Sequence, residues 1–338
     1  MPRPTIHDVS RAARVSLATV DRVLNQRGGV AEKSVRKVLR AVEETGYVRD
    51  LSAANLSRGR EYRFKFILPD STTGFVTLLR AALSAEHARL TGDKIRIDIV
   101  TTSAFEASAQ VAALRACTAR NCDGVAIIAS EAPEVQSEIA RLTADRVPVL
   151  TLVSDLPRSS RNAYIGPDNV VAGRTAASFM GRFVGDRPGK ILMIAGSLSA
   201  RDHMERVMGF RMVMGERFPE LTLLPAVQGF DNADTVEALT REAMEQMGLV
   251  GVYAVGAGNR GVVRALEGHA PRPVVIVHEL TSTTRASLLS SKIDLVIDQN
   301  PVAEVQAAIT LMRDLSDQRP INAKSGEIPL SIFVRENV

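Results

Sequence analysis

The sequence predicts two unlike parts: a small all-α headpiece containing a helix-turn-helix, followed by a two-lobed, doubly wound parallel α/β domain. Two short helical patterns stand back to back within residues 5–25. From Phe64 onward, short apolar runs alternate with helical patterns, which is typical of a parallel α/β sheet. The alternation begins afresh after Asp168, so we expect two successive α/β units with a cleft between them.

The composition is that of an ordinary globular protein. The 338 residues are 45% hydrophobic and 24% charged, which is enough chain for two or three domains. No run of 18 apolar residues and no apolar leader occur, so we expect a cytoplasmic protein that does not contact membranes. Cys117 and Cys122 match no metal-binding spacing, and we expect both to be small core residues. We expect neither a metal nor a cofactor.

Residues 5–25 carry the signals for the first two helices. Thr5 and Asp8 predict a capping box, and Ser16 is a favourable N-cap for the second helix. Only Arg14 and Val15 separate the two patterns, so the helices must meet across a tight turn. The second helix of such a pair can enter the major groove of DNA, although similar pairs also occur in ordinary cores. Apolar residues recur at helical spacing in both segments: Ile6, Val9, Ala12 and Ala13, then Val20, Val23 and Leu24.

A third helix is predicted over residues 32–45, with Gly46 ending it. Its expected buried stripe consists of Val35, Val38, Leu39 and Val42. Residues 1–60 contain 12 Lys and Arg against 6 Asp and Glu, a net +6, so the remaining residues carry about −2. A basic end on a near-neutral body is typical of phosphate binding; a solvated basic face is the simpler alternative.

The α/β part reads as strands and helices in strict alternation. The predicted strands cover residues 64–68, 95–101, 124–129, 148–153, 190–195, 221–227, 251–255, 274–278, 295–297 and 328–334. The predicted helices cover residues 75–91, 106–120, 133–145, 168–184, 201–217, 231–247, 258–268, 281–290 and 301–315.

The first 25 residues resemble the DNA-binding headpiece of the lactose-repressor (LacI/GalR) family. The motifs that carry the resemblance are T-I-H-D-V-S-R-A-A, V-S-L-A-T-V and R-V-L-N. The chain departs from the family pattern twice, with Arg14 where the family usually has Gly and Asp21 where it usually has Ser. An Arg tolerates a positive φ less well than Gly does, and an acid near phosphates is unfavourable unless it is paired. Both departures therefore bear on how the headpiece docks.

The resemblance extends over the rest of the chain. Residues 62–338 resemble a type I periplasmic sugar-binding protein, which is the effector domain of this family, and D-N-V-V-A-G-R at 168–174 is the best-matching stretch. In that fold the chain crosses between lobes three times, here near 155–166, 298–300 and 320–326. The implied domains are the headpiece 1–48, a hinge or linker 49–61 and the effector domain 62–338, with lobe 1 at 62–163 and 300–322 and lobe 2 at 164–299 and 323–338.

The segment 49–60 is rich in small residues and has two interpretations. It is either a plain linker or, as the resemblance implies, a hinge helix that forms only on the operator. In the family a leucine wedges into the central base step from the minor groove, and Leu56 matches it, with Ala53 one turn earlier.

The resemblance also implies a homodimer that binds a near-palindromic, double-stranded operator. At the start of the recognition helix, Leu17 and Ala18 offer only apolar contact with thymine methyl groups, which leaves Arg22 as the candidate for guanine. The full candidate DNA-binding set is Thr5, Ser16, Leu17, Ala18, Thr19, Arg22, Asn25, Ala53 and Leu56.

Polar residues just past strand ends are the candidates for effector binding. Phe75 either stacks on a sugar face or is the first core residue of its helix. Asp155 and Arg158 could bracket hydroxyl groups, and Glu279 is the leading carboxylate because a charged residue that ends an apolar strand needs a polar partner. Any of these residues could instead serve only as a helix cap. The candidate effector-binding set is Asp70, Thr73, Phe75, Asp155, Arg158, His203, Glu205, Asn259, Glu279 and Gln299.

Three functions compete. The first is an effector-controlled transcription regulator, most simply a repressor, with a monosaccharide or polyol as effector; Arg158, Arg201 and Arg260 leave an anionic ligand open. The alternative is an enzyme that uses the α/β cleft on a sugar or other small metabolite, but no G-x-S-x-G elbow, Walker loop or H-x-x-x-H pair occurs. A transport binding protein would need a signal peptide and no headpiece.

Overall fold

The computed structural model forms two compact units, Met1–Glu61 with Gly92–Lys94, and Tyr62–Thr91 with Ile95–Val338. The residues that the structure describes are 4–24, 29–45, 61–71, 74–90, 92, 94–103, 106–246, 248–322 and 324–338.

The headpiece consists of three helices, as predicted: α1 Ile6–Ala13, α2 Leu17–Leu24 and α3 Glu32–Thr45. They bury one small core made of Val9, Ala13, Val20, Val38 and Ala41. The expectation that Leu39 is buried was wrong, since Leu39 is 52% exposed. Each helical residue turns by about 100°, so Val38 and Ala41 share a face and Leu39 falls beside it.

Helices α1 and α2 both begin with the predicted caps. The backbone N and Oγ1 of Thr5 donate to Oδ2 of Asp8 at 2.8 and 2.7 Å, and these bonds lower the pKa of the Asp8 carboxyl. Oγ of Ser16 accepts from the backbone N of Thr19 at 3.1 Å, at the start of α2. Arg14, in the turn, has φ 52° and ψ 47°, so the turn does require the left-handed conformation.

The first sheet of the larger unit contains five parallel strands in the order β2-β1-β3-β4-β5. Helices α4 and α12 pack on one face and α5 and α6 on the other. The sheet and these helices are called lobe 1 below. Its elements are β1 Tyr62–Pro69, α4 Gly74–Leu90, β2 Ile95–Thr102, α5 Ala107–Arg115, β3 Gly124–Ile127, α6 Pro133–Ala144, β4 Val149–Leu152, β5 Ala163–Ile165 and α12 Pro301–Ser316.

The second sheet has the order β12-β11-β10-β9-β6-β7, and β8 also pairs with β6. Helices α7 and α8 cover one face and α9, α10 and α11 the other, which completes lobe 2. Its elements are α7 Asn169–Val184, β6 Gly189–Ala195, α8 Arg201–Arg217, β7 Leu221–Leu223, β8 Val227–Gln228, α9 Ala233–Glu245, β9 Leu249–Ala254, α10 Asn259–Ala265, β10 Val274–His278, α11 Ser282–Leu289, β11 Leu295–Asp298 and β12 Ser331–Phe333.

The predicted parallel α/β alternation is confirmed, with local differences. The strand expected over 221–227 is two short strands, because Pro225 between them has no N–H to give to a ladder. The three-residue β5 was not predicted, and it lies in the first sheet. The last strand is shorter than expected and antiparallel to β11. Two inter-lobe segments run side by side, since Gly166 N donates to Gly326 O at 3.1 Å.

Both cysteines are core residues, as predicted. Cys117 and Cys122 are free thiols, each 1% exposed, in the cluster beneath α5 and α6. Their Sγ atoms donate to the backbone oxygens of Ala113 and Gly124. Within the described part of the chain, no helix is both long and apolar enough to cross a bilayer.

Candidate functional site

The outer face of α2 is the first candidate site. Leu17, Ala18 and Arg22 are exposed along it, whereas Val20 points into the headpiece core. Thr5 and Ser16 are exposed as well, and Thr19 is half-buried. A helix that presents one exposed arginine beside small apolar side chains has the surface needed to contact base edges in a major groove. The predicted residues Asn25, Ala53, Leu56 and Thr73 lie outside the described residues, as does the segment 49–60.

The second candidate site is a cavity of about 670 Å³ between the two lobes, where strand ends of both sheets face each other. Cavities of a few hundred Å³ are typical of small-molecule sites. Phe75 is a core residue, 9% exposed, and also part of the cavity wall, and its stacking on a sugar face stays a prediction. Five of the predicted effector residues line the cavity: Asp70, Phe75, His203, Glu279 and Gln299.

Glu279 and Gln299 form the centre of the polar wall. They directly follow β10 and β11 respectively, and Nε2 of Gln299 donates to Oε1 of Glu279 at 2.5 Å. Oε2 of Glu279 and Oε1 of Gln299 are buried without a partner in the protein. Burial raises the pKa of the Glu279 carboxyl to about 8, against the opposing effect of Arg206. Glu279 also holds a left-handed φ of 73°, a strain that is common at binding sites.

Arg206 is a wall residue that the sequence reasoning missed. The residue is 2% exposed. Its Nε donates to Oδ1 of Asn169 and its Nη1 to the backbone oxygen of Val255, both at 2.8 Å. Its Nη2 has no partner in the protein. Arg206 lies one turn after Asp202 and His203 on α8. Its helical spacing from those two residues could have indicated that it shares their face of the helix.

The histidines of the wall are held by neighbouring polar groups. Nδ1 of His203 accepts from the backbone N of Ser197 at 3.1 Å, and its Nε2 lies 3.7 Å from Asp202. His278 is fully buried against the hydroxyl of Tyr253, and burial lowers its imidazole pKa well below the usual value. His278 is therefore neutral. Among the described residues, no cluster of three or more His, Cys, Asp or Glu side chains could hold a metal ion.

The remaining predicted residues do not line the cavity. Asp155 binds Arg161 through two contacts of 2.5 and 2.7 Å, whereas Arg158, which was expected to bracket ligand hydroxyl groups together with Asp155, is exposed. This places the Asp–Arg pair in the segment after β4 and not in the cavity wall.

Glu205 and Asn259 lie just behind the wall. Glu205 accepts from Nε of Arg201 at 2.7 Å, and burial raises the pKa of its carboxyl. Nδ2 of Asn259 donates to the backbone oxygen of His278 at 3.1 Å. Both residues therefore support side chains or backbone that face the cavity.

An ion pair crosses the cleft at its edge. Nη1 of Arg201, at the start of α8 in lobe 2, lies 2.7 Å from Oε1 of Glu131, which follows β3 in lobe 1. A second contact crosses nearby, where the backbone N of Asp202 donates to Oγ of Ser154 at 3.3 Å. Together they hold the two lobes close on this side of the cavity.

Comparison with known families identifies the two parts of the chain that carry these candidate sites. Residues 5–50 match the model of bacterial regulatory proteins of the lacI family, and residues 64–320 match that of the periplasmic binding protein domain. The chain belongs to the lacI family of regulators. Its effector part carries the periplasmic binding protein fold, and the resemblance inferred from the sequence is confirmed.

Relatives of this lacI-family chain are regulators by name. It is 24% identical to the ribose operon repressor of Halalkalibacterium halodurans over 98% of this chain and 96% of that one. It is 25% identical to the transcriptional regulator DegA of Bacillus subtilis, over 63% of this chain but only 61% of DegA. A solute binding protein from Burkholderia graminis, solved with D-arabinose, shares the fold with a TM-score of 0.74 at 20% identity, covering 82% of this chain and 96% of that one.

Proposed function

We propose that this lacI-family protein is a sequence-specific repressor whose affinity for its operator is controlled by a small carbohydrate-like effector bound between the lobes. One observation carries the proposal: a chain that begins with a helix-turn-helix continues into a two-lobed domain whose cavity is lined by buried polar side chains. Because its target is DNA, we place the protein in the cytoplasm.

On the DNA side, α2 is the recognition helix in this proposal. Arg22 reads a guanine through a bidentate contact, while Leu17 and Ala18 contact thymine methyl groups. Thr5, Ser16 and Thr19 lie at helix starts, where backbone N–H groups and hydroxyls suit phosphate contacts. One headpiece spans too few bases for specificity, so the working unit is a homodimer on a near-palindromic, double-stranded operator.

On the effector side, the ligand is a monosaccharide or related polyol. The name of the ribose operon repressor and the arabinose bound to the fold relative support this class. The effector changes how the lobes close, and the hinge 49–61, with Ala53 and Leu56 in the minor groove, carries that change to the headpiece 1–48. Lobe 1 extends to the end of β5 at Ile165, two residues beyond the predicted limit, and resumes at 300–322, and lobe 2 takes 166–299 and 323–338.

The test selects binding sites from random double-stranded DNA with the full-length chain. We expect an enriched near-palindromic motif, a dimer in sedimentation, and one monosaccharide or polyol that changes the operator dissociation constant by about 5- to 150-fold. Consumption of the small molecule with no enriched DNA motif would favour the alternative, an enzyme that uses the cleft on a sugar or other small metabolite.

A further inference from the structure

The charge of the cavity wall restricts what the effector can be. Of the two histidines in the wall, His278 is neutral because of its burial. Acidic side chains outnumber arginines by five to two among the described residues of the wall: Asp70, Glu131, Asp202, Asp231 and Glu279 against Arg201 and Arg206. The wall is therefore acidic, although the whole chain carries a net charge of +4.

Neither wall arginine is available to bind an anionic group in the usual bidentate way. Arg201 is held between Glu131 and Glu205, with contacts of 2.7 Å to each. The Nε and Nη1 atoms of Arg206 donate to Asn169 and Val255, so only Nη2 remains to donate to a ligand. Arg158 and Arg260, which the sequence left open as anion ligands, are exposed and do not line the cavity.

Carboxyl groups from both lobes lie at and behind the polar wall, and the charge of Arg206 opposes the rise in their pKa values. Glu279 in lobe 2 is 6% exposed with Oε2 unpartnered. Behind it, Glu304 on α12 of lobe 1 is 0% exposed, and neither of its oxygens has a partner in the protein. Burial and then the Glu279 charge raise the pKa of Glu304 well above its usual value. A negative ligand would further oppose ionisation of both carboxyl groups, whereas a positive one would favour the carboxylate form of Glu279.

The unpartnered atoms also favour donors on the ligand. Oε2 of Glu279 and Oε1 of Gln299 are acceptors, and an ammonium group brings three donors and a positive charge. When the ammonium binds, it stabilises the carboxylate of Glu279, and the carboxyl proton passes to solvent. The rings of Phe75 and Phe230 in the same wall offer apolar faces against which a sugar ring can pack.

We propose that the effector is a cationic polyol, in its simplest form an amino sugar, whose ammonium group is bound by Glu279 and Gln299. The inference rests on the proposed function, because it names the ligand class of the same cleft.

The experiment measures binding to the full-length protein by isothermal titration calorimetry at about pH 7, where sugar amines are largely protonated. For the gluco, galacto and manno skeletons, four ligands are compared: the neutral hexose, the 2-amino sugar, its N-acetyl amide and the uronate. We expect one amino sugar to bind about tenfold or more tightly than the hexose and the N-acetyl amide of its skeleton, with the uronate weakest. The N-acetyl amide keeps the nitrogen but carries no positive charge, so it shows whether the charge itself increases the affinity.

The variant Glu279→Gln tests the assigned residue. It keeps the shape of the side chain and removes the charge, so the ratio of amino-sugar to hexose affinity should fall to about one. Glu216→Gln makes the same change at an exposed position near the end of α8 and should keep the ratio of the parent.

Three results overturn the inference. The first is a hexose, an N-acetyl amide or a uronate that binds best, in which case effector control stands and only the charge assignment falls. The second is a Glu279→Gln protein that keeps the parent ratio. The third is no binding by any amino sugar of the panel; operator selection then reports separately on the proposed repressor function. If Glu279→Gln does not fold, the ratio of amino-sugar to hexose affinity in the parent protein decides on its own whether the inference stands.

Discussion

Arg14 is the residue at which the headpiece carries backbone strain. The turn between α1 and α2 needs a left-handed residue, and Arg14 adopts φ 52° although it has a Cβ. Left-handed conformations cost non-glycine residues about 1–2 kcal/mol. We expect Arg14→Gly to stabilise the helix pair by about 1 kcal/mol. The extra conformational entropy of glycine in the unfolded chain reduces this gain. The measurement is hydrogen-exchange protection of the α1 and α2 amides.

Arg14→Ala is the matched control for this change. It removes the same charge and the same long side chain but keeps the Cβ, so protection should stay at the level of the parent or fall. Equal gains from Gly and Ala would mean that charge, and not backbone conformation, limits the turn.

Glu279 makes the stability of the α/β domain depend on pH. Its carboxyl has a pKa of about 8 in the folded protein against a usual 4.5, so the folded state holds a proton that the unfolded state has lost. The free energy of unfolding therefore falls as pH rises from about 4.5 to about 8, by at most about 1.4 kcal/mol per pH unit for this group. Glu304 acts in the same direction, since its pKa is also raised.

Urea unfolding at several pH values between about 5 and 8 checks this dependence. Glu279→Gln should flatten the slope, because the amide does not titrate, and Glu216→Gln at an exposed site should leave it as in the parent. The lowered pKa of His278 makes stability rise with pH up to about 6.5, so the deciding range is about 6.5 to 8. A Glu279→Gln protein with the slope of the parent in that range would contradict the burial of an unpaired Glu279 carboxyl.

The residues of the cavity show what a sequence can and cannot predict. Strand ends identify Glu279 and Gln299, because the position after an apolar strand is fixed by the pattern alone. Arg206 lies in the interior of a helix, and only the packing of α8 against α7 shows that its face is turned to the cavity. The partner of Asp155 was likewise undetermined, since both Arg158 and Arg161 are within reach along the chain and only the loop conformation selects Arg161.

The recognition helix is the element that most directly tests the proposed function. Arg22 is exposed on α2 beside Ala18, one turn earlier. We expect Arg22→Ala to weaken operator binding by about 1–3 kcal/mol and to relax the preference at one base position in each half-site, because a bidentate contact with guanine is lost. Binding to the selected operator and to operators mutated at each position provides the measurement.

Lys33→Ala is the comparison for this variant, because it removes one positive charge at the exposed start of α3. A phosphate contact there would weaken binding to all sequences evenly and lower the salt dependence. If Arg22→Ala also weakens every sequence evenly, Arg22 binds phosphate and the base-reading assignment fails.

Elements of four or more residues were predictable from the pattern of apolar residues, whereas the strands of two or three residues were missed, merged or given wrong limits. The helix 201–217 and the strand 274–278 have the predicted limits because their apolar spacing is continuous. β5 contains three residues, too few for a period, and exists because β4 offers it an open edge. The split of 221–227 had a visible cause in Pro225, which removes one backbone donor.

For the whole molecule, the ion pair between Arg201 and Glu131 bears on how the cleft closes. It joins lobe 2 to lobe 1, and its side chains are 34% and 47% exposed. A half-exposed pair of this kind contributes about 0.2–1 kcal/mol. We expect Glu131→Gln to favour a more open arrangement, with a larger radius of gyration in small-angle scattering and an effector affinity lower by about 1.4- to 5-fold.

Glu131 is the better partner to replace, because Arg201 also binds Glu205 and its removal would leave that half-buried carboxylate unpaired. Glu134→Gln, an exposed carboxylate on α6, is the control for the change in charge. Salt gives an independent test, since about 1 M NaCl screens a half-exposed pair. High salt should open the parent as the substitution does and should have little further effect on Glu131→Gln. A Glu131→Gln protein with the scattering curve and the salt response of the parent would show that the pair does not hold the lobes together.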